Sequence, residues 1–155
     1  MLVTGAALPD RLHTLSAVTM TAYAGATWDW LQIHIDRQAA REAGFSDAIV
    51  DGQLLGALLA AHAQDGVGPG SRVRELAFRH TAPVYRNETV RITGTCVAVQ
   101  PQGSVTVRQD VEVVDPTTHL IHRVAVRSAS TTVQAPPAPA SGQPVPGENH
   151  PGRTS

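Results

Sequence analysis

Asp29 and His34 are the two side chains of this sequence whose types and spacing best suit catalysis, and they lie in the segment WDWLQIHID, residues 28–36. A carboxylate and an imidazole that share a site can take one proton and give another, as the addition or removal of water requires. On a regular helix, side chains five positions apart point about 140° away from each other. A shared site therefore requires an irregular segment here. The alternative is a solvated loop with a helix cap and a surface histidine.

Tryptophan residues flank Asp29 on both sides. Burying an unpaired carboxylate between the indoles of Trp28 and Trp30 would be costly, so Asp29 belongs either to a solvated turn or to a site. If it belongs to a site, we expect both tryptophans to contact the substrate.

A second candidate lies in the segment IVDGQLLGALL, residues 49–59. Gly52 precedes an apolar helix, and the free N–H groups and positive dipole end of a helix start favour a negative oxygen. Glycine also lets a ligand carbonyl come close to the backbone. Gly52, with Asp51 beside it, is therefore a candidate oxyanion and substrate-binding site. The alternative is that Gly52 only turns the chain into the helix.

The second half of the chain has the pattern of an antiparallel sheet. Residues 104–114, SVTVRQDVEVV, alternate valine with polar residues, which predicts a half-buried strand. Strands are also predicted over 88–100 and 119–133, and short turn segments join the three into a meander. Residues 71–84 supply a fourth strand that ends near a proline. A short opening strand is expected around 12–15.

The first half lacks this alternation and predicts helices over 16–26, 36–44 and 53–64. Asp36 is the expected N-cap of the second helix and Gly44 its expected C-cap. In the third helix, leucine and alanine occupy almost the whole circumference, which predicts burial on nearly all sides. A central helix wrapped by an antiparallel sheet, an α+β fold, follows.

Composition predicts one folded domain, residues 1–133. Residues 134–155 are rich in Pro, Gly, Ala and Ser, which is typical of a disordered tail because such a segment cannot bury enough apolar surface to offset its ordering entropy. The formal net charge is −1 and no run of Lys or Arg occurs, so neither nucleic acid nor an anionic membrane is an expected partner.

Cys96 is the only cysteine, which excludes an intrachain disulfide and a cysteine-based zinc site and fits a reducing compartment. The chain shows neither a secretory leader pattern nor an apolar run near the roughly 20 residues of a membrane span. A cytoplasmic protein without a metal or cofactor is the expectation from these features.

Residues 23–59 resemble the signature region of the MaoC-like acyl dehydratases, also called the R-specific enoyl-CoA hydratase family, which have the hot-dog fold. The family pattern is Asp-x-Asn-Pro-x-His, then Asp and a short helix with Ala and Gly-Phe, then Ile-Val-His-Gly before the central helix. The matching residues here are Asp29, Ile33, His34, Asp36, Ala40, Gly44, Phe45, Ile49, Val50 and Gly52. A weaker likeness continues through FRHTAPVYRNETV, so that the resemblance covers roughly 20–133.

The resemblance implies reversible hydration of a trans-2-enoyl thioester, carried by coenzyme A or acyl carrier protein, to a 3-hydroxyacyl thioester. Asp29 and His34 would hold the water and exchange its protons, in an order that the sequence leaves open. The N–H of Gly52 would polarise the thioester carbonyl. The resemblance also implies a homodimer or a dimer of hot dogs.

Three positions depart from the family pattern. Leu31 and Gln32 replace the Asn and Pro of the loop, which removes an amide that could orient it and a residue that makes it rigid. Asp51 replaces the His before the oxyanion glycine, which adds a carboxylate near the expected thioester position. The Asp29 and His34 pair is unchanged.

Two other functions fit the same fold. A hot-dog thioesterase commonly uses a carboxylate on or near the central helix; residues 53–64 contain none, but Asp51 stands at the start of that helix. A non-catalytic acyl-binding subunit of a heteromer is the other alternative. The presence of both Asp29 and His34 argues against it, because a subunit kept only for its shape needs neither.

Overall fold

The computed structural model describes residues 2–136. Its elements in chain order are β1 (Ala7–Thr14), α1 (Ala17–Thr27), α2 (Arg37–Glu42), α3 (Gly52–Val67), β2 (Arg72–Ala77), β3 (Thr89–Val99), β4 (Ser104–Val114) and β5 (Ile121–Gln134). The five strands form one antiparallel sheet in the order β1-β3-β4-β5-β2. This confirms the α+β fold class and the meander of the last three strands.

The predicted tail lies mostly outside the described part of the chain. Gln134, its first residue, still belongs to β5 and pairs with Arg72 and Ser104. Residues 137–155 lie outside the described residues. None of the helices within residues 2–136 combines the length and the apolar character that crossing a bilayer requires.

Both outer strands differ in length from the prediction. β1 starts at Ala7, earlier than expected, because an irregularity in its pairing with β3 between Leu8 and Arg11 accommodates Pro9, which has no N–H to donate. β2 ends at Ala77, earlier than expected; beyond it the chain keeps an isolated bridge to β5 at His80, where it lies against the start of α3.

Helix α3 packs its leucines on one face of the sheet. Leu54, Leu55 and Leu59 are buried in a core that the strands supply with valine, isoleucine and alanine, including Val90, Ile92, Val111, Val113, Val126 and Ala129. The prediction that this helix is buried on nearly all sides is wrong. A stripe of four residues, which we call the open stripe of α3, is exposed: Gln53, Ala57, Ala61 and Asp65. The sheet covers only one side of the helix, and alanine tolerates either environment.

Side-chain caps fix the helix starts. The carboxylate of Asp36 accepts hydrogen bonds from the N–H groups of Gln38 at 2.7 Å and Ala39 at 3.4 Å, which confirms it as the N-cap of α2. At the other end the C-cap is Ala43, one residue earlier than the predicted Gly44, and Gly44 follows it in the left-handed conformation with φ +91°.

A buried polar network joins α3 to the sheet. The amide nitrogen of Gln109 donates to the carbonyl of Leu59 at 2.9 Å and to Nδ1 of His62 at 2.8 Å, while Thr131 donates to the amide oxygen of Gln109. Since Nδ1 of His62 accepts, its proton is on Nε2, which donates to the carbonyl of Pro9 at 3.0 Å. Burial lowers the pKa of His62, so the folded protein holds this imidazole neutral.

Folding stability should therefore decrease as the pH falls below about 6.5, the ordinary pKa of histidine. The pKa of His62 is lower in the folded chain than in the unfolded chain, so the unfolded chain binds more protons in this range and acid favours unfolding. The nearby carboxylates of Asp10 and Asp65 oppose this shift, whereas Arg11 adds to it. Urea denaturation between about pH 7 and pH 5 would measure the free energy of unfolding.

The matched variants for this prediction are His62→Gln, which removes the titrating ring, and His122→Gln, which removes an exposed histidine in β5. The first should reduce the pH dependence to the part that comes from His13, whose pKa burial also lowers, and the second should leave it unchanged. Equal slopes in the wild type and His62→Gln would show that another group is responsible.

Candidate active site

The segment that carries Asp29 and His34 is irregular, as a shared site requires. Helix α1 ends at Thr27, and Trp28 follows in the left-handed conformation with φ +62°. The N–H groups of Trp28 and Asp29 both donate to the carbonyl of Ala24, which turns the chain away from the helix axis. A single 3-10 turn, Gln32–His34, then presents the histidine.

Three titratable side chains meet at this loop. One carboxylate oxygen of Asp29, one of Asp51 and one ring nitrogen of His34 all lie within 4.8 Å of one another, and all three residues are half-buried. The structure therefore brings together the pair selected by spacing and adds the carboxylate at the start of α3. We call Asp29, His34 and Asp51 the acid/base trio.

Backbone contacts orient the ring of His34. Its Nδ1 lies 2.9 Å from the carbonyl oxygen of Ile49, which can only accept, so Nδ1 carries the proton. Nε2 of the neutral ring is then free to accept a proton. The N–H of Ile49 donates to the carbonyl of Ile33 at 3.1 Å, which ties the segment before α3 to the loop.

Asp29 and Asp51 each use a carboxylate oxygen to hold the backbone. Oδ1 of Asp29 accepts from the N–H of Leu31 at 3.2 Å. Oδ1 of Asp51 accepts from the N–H of Gln53 at 2.8 Å, so Asp51 is the N-cap of α3. In each carboxylate the second oxygen takes no part in these contacts.

The N–H of Gly52 is the free donor at the start of α3. The next three N–H groups donate to Asp51, one to its side chain and two to its carbonyl. Among the hydrogen bonds formed within residues 2–136, none uses the N–H of Gly52. A ligand oxygen at this point would meet an unpaired donor and the positive end of the helix dipole.

A cavity of about 370 Å³ lies against this donor. It is lined by His34, Phe45, Ile49, Val50, Gly52, His80, Thr81, Ala82 and Pro83. Most of its wall is apolar, and the polar groups converge near Gly52, which is the usual construction of a small-molecule site. A larger cavity of about 570 Å³, at the far end of α3 around Gln64 and Ser71, contains none of the candidate residues.

The two tryptophans lie outside this cavity. Trp28 is 80% exposed and Trp30 is 45% exposed, and their rings meet edge to face at 6.1 Å. Trp30 also lies against Gly25 of α1. The indoles thus contact each other at the surface, and they do not enclose the Asp29 carboxylate, which faces His34 and Asp51.

Tyr23 is a neighbour of the trio that the sequence did not indicate. Burial, followed by the negative charges of Asp51 and Asp29, raises the pKa of this half-buried phenol, so it remains a neutral donor. No pattern pointed to it, because α1 has no marked apolar face that would separate a site residue from a core residue.

The acid/base trio is also a possible cation site. Within the part of the chain that the structure describes, it is the group of side chains whose donor atoms are close enough together to hold a metal ion. Carboxylate oxygens and an imidazole nitrogen are common ligands of divalent cations. Activity in the presence of a chelator distinguishes a cation site from a metal-free acid/base site.

Comparisons with known proteins add a family and a fold. Residues 7–117 match the family described as the MaoC like domain. The beta subunit of the 3-oxo-4,17-pregnadiene-20-carboxyl-CoA hydratase of Mycobacterium tuberculosis is 30% identical over 108 residues, which are 70% of this chain and 83% of that protein.

Solved structures are similar over most of the chain. A chain of the ChsH1-ChsH2 complex from Mycobacterium tuberculosis has a TM-score of 0.76 and 26% identity, covering 88% of this chain and all of that one. The (R)-hydratase from A. caviae involved in PHA biosynthesis has a TM-score of 0.75 and 21% identity, covering 87% of this chain and 98% of that one. At this level of identity the second likeness shows the fold alone. The predicted hot-dog fold is confirmed.

Proposed function

Because this chain belongs to the MaoC-like dehydratase family, we propose that it catalyses the reversible addition of water to a trans-2-enoyl thioester. Family membership supports hydration or dehydration of acyl-CoA. One observation supports the more specific proposal. Asp29 and His34 lie close together beside a cavity, and Gly52, whose N–H is free, lines the wall of that cavity.

Water held between Asp29 and His34 would be the reacting molecule. Water between Nε2 of His34 and a carboxylate oxygen of Asp29 would donate a hydrogen bond to the unprotonated member of the pair, which leaves its oxygen free to attack C3. That member takes a proton from the water as the C–O bond forms, and the other member, which carries a proton at the start, delivers it to C2, so the pair holds one proton before and after the addition. The product gains H at C2 and OH at C3, which balances the addition of one water molecule.

The thioester oxygen becomes negative as the new bond forms. Its expected partner is the N–H of Gly52, assisted by the dipole of α3. Asp51 keeps this donor available, because its side chain and carbonyl take the three following N–H groups. In this proposal Asp29 and His34 transfer protons, and Asp51 caps α3 so that the N–H of Gly52 stays free.

Isotope incorporation would test the reaction type. In ¹⁸O-labelled water, hydration of crotonyl-CoA places one labelled oxygen at C3 of an intact 3-hydroxyacyl thioester. Hydrolysis would instead place the label in a free acid and release a thiol. Mass spectrometry of the products separates the two reactions, and label found only in free acid would overturn the proposal.

Thioester hydrolysis remains the alternative because Asp51 lies within 4.8 Å of the other two members of the trio. We expect Asp51→Asn to keep hydration within about tenfold of the wild type, since asparagine caps helices as well as aspartate does and the proton-transfer pair is unchanged. Initial rates of crotonyl-CoA hydration would measure this. A complete loss of turnover in folded Asp51→Asn, with Asp29→Asn almost fully active, would favour the thioesterase.

We propose a coenzyme A thioester with a bulky apolar acyl group as substrate. The named substrate of the 30% identical relative is a coenzyme A thioester of a pregnadiene carboxylate. In this chain the exposed side chains of Trp28, Trp30 and Leu31 provide an apolar surface next to the trio, where atoms outside the cavity could lie. Cytoplasmic location would suit such a substrate.

A second hot-dog subunit, either another copy or a related chain, is the partner that we propose. The open stripe of α3 and the outer edges of strands β1 and β2 have no partner within the described chain. The chain of known structure at 26% identity is part of a complex, and the curated relative is named as a subunit.

Sedimentation at micromolar concentration should therefore show a dimer for the purified chain or, if the partner is a related chain, a heteromer once both are present. Ala57→Arg, which places a charge in the open stripe, should produce a monomer. Thr117→Arg, in the exposed loop between β4 and β5, is the control and should not. If Ala57→Arg dimerises like the wild type, the open stripe is not the interface.

A further inference from the structure

His80 lies directly against Gly52 at the start of α3. A β-carbon placed on Gly52 would lie 2.5 Å from Nε2 of His80 and 3.2 Å from Cε1, so the imidazole occupies the space that any other residue would need. Glycine at this position therefore serves the close approach of a particular ring. The family pattern of the helix start gave no indication of this contact.

Neighbouring contacts hold His80 in place. Its backbone bridges to Val126 of β5, and the next residue, Thr81, donates its N–H to Ala125 and its hydroxyl to Val124, each at 2.8 Å. The ring meets Phe78 edge to face at 5.2 Å. The direction of the imidazole is thus fixed by the sheet edge and by a rigid aromatic neighbour.

The two ring nitrogens of His80 are nevertheless free to bind a ligand. No hydrogen bond within the described part of the chain uses either ring nitrogen of His80, and the residue is exposed. It lines the cavity together with His34 and Gly52, in a wall otherwise formed mainly by Phe45, Ile49, Val50, Ala82 and Pro83. A polar ring that lines an apolar cavity and has no hydrogen-bond partner in the described chain is available to bind a ligand.

We propose that His80 is a second donor to the thioester oxygen, acting beside the N–H of Gly52. This inference rests on the proposed hydration. An oxygen bound at Gly52 in the cavity would approach the Nε2 edge of the ring, and an imidazole with both nitrogens free can present an N–H there. The role is electrostatic: no proton leaves His80, and the hydrogen bond strengthens as negative charge collects on the oxygen.

His80→Phe is the test variant, because phenylalanine keeps a flat ring against Gly52 and Phe78 and removes the donor. Loss of one donor of an oxyanion site typically lowers kcat by about 10²–10³-fold. Since the N–H of Gly52 remains, we expect a decrease of about ten- to a hundredfold in the hydration rate. His122→Phe, at an exposed histidine in β5, is the matched control and should keep the wild-type rate.

The carbonyl stretch of bound crotonyl-CoA separates this role from a structural one. Measured by infrared difference spectroscopy in the slow Asp29→Asn background, the stretch should shift to lower frequency on binding, and adding His80→Phe should remove part of that shift. A loss of rate without any change in the stretch would overturn the proposal, as would a wild-type rate in His80→Phe. If His80→Phe does not fold, His80→Ala gives the same comparison.

Failure of this inference is distinguishable from failure of the proposed function. If the wild type does not hydrate the enoyl thioester, both the proposed function and the proposed role of His80 are wrong. If the wild type hydrates it and the His80 variants match it in rate and spectrum, only the second donor is wrong.

Discussion

Asp29→Asn should lower the rate of enoyl-thioester hydration at least about a hundredfold, because a positioned acid/base group typically contributes about 10²–10⁴-fold. This corresponds to about 2.7 kcal/mol or more of activation free energy. Asparagine has nearly the same shape and can still accept the hydrogen bond from the N–H of Leu31, so the loop should be retained. What the variant loses is the group that exchanges a proton with water or with C2.

The matched control is Asp36→Asn, the same substitution at the carboxylate that caps α2. Asparagine is an equally good cap, so this variant should keep the wild-type rate within about twofold. Circular dichroism and initial rates with crotonyl-CoA are the measurements. If folded Asp29→Asn hydrates the substrate within a few fold of the wild type, Asp29 is not part of the proton-transfer pair.

His34→Ala is the second large effect, again with a decrease of at least about a hundredfold. The variant loses Nε2, the nitrogen that exchanges a proton with water or with C2. It also loses the hydrogen bond from Nδ1–H to the carbonyl of Ile49, which lowers the folding stability by about 1 kcal/mol. The double variant Asp29→Asn with His34→Ala should be little slower than either single variant, because groups that act as a unit are not additive.

Rates of the two single variants and the double variant, measured with the same substrate, would test this coupling. His122→Ala, which truncates an exposed histidine, should behave as the wild type. Multiplicative losses in the double variant would mean that Asp29 and His34 act independently, contrary to a single water held between them.

Patterns among neighbouring residues predicted the features that depend on neighbouring residues, namely the strand β4, the cap of α2 and the irregular loop. Strict alternation over 104–114 gave β4 with its observed bounds, because one face of that strand is buried and the other is not. The capping carboxylate of Asp36 and the incompatibility of Asp29 and His34 with one regular helix were likewise readable from neighbouring residues. For the pair itself, the sequence indicated the need for a loop, and the loop is present.

Features that depend on chain segments distant in sequence were predicted less completely. Asp51 was expected near the thioester position, but its approach to Asp29 and His34 was not predicted. It depends on two contacts of Ile49: its N–H donates to the carbonyl of Ile33, and its carbonyl accepts from the ring of His34. His80 reaches Gly52 because β2 ends at Ala77 and the following residues, still bridged to β5 at Val126, lie against the start of α3.

The exposed side of α3 has the same origin. Ala57 and Ala61 count as apolar residues in a helical pattern, although both are exposed in the structure. The neighbouring residues do not indicate that the sheet covers only one side of the helix. The exposed indole of Trp28 belongs to a residue whose backbone adopts the left-handed cap of α1, which turns the chain, and with it Asp29, away from the helix axis.

The hydratase assignment is tested by a single reaction of the purified chain with crotonyl-CoA, in which the absorbance of the conjugated double bond and the release of free thiol are followed together. We expect the absorbance to decrease while no thiol appears, and a chelator to leave the rate unchanged because Asp29 and His34 move the protons themselves. Thiol release matching the loss of substrate would identify a thioesterase. Absence of both changes, with crotonyl-CoA and with an enoyl-CoA that carries a bulky apolar acyl group, would show that this chain does not carry a complete hydratase site.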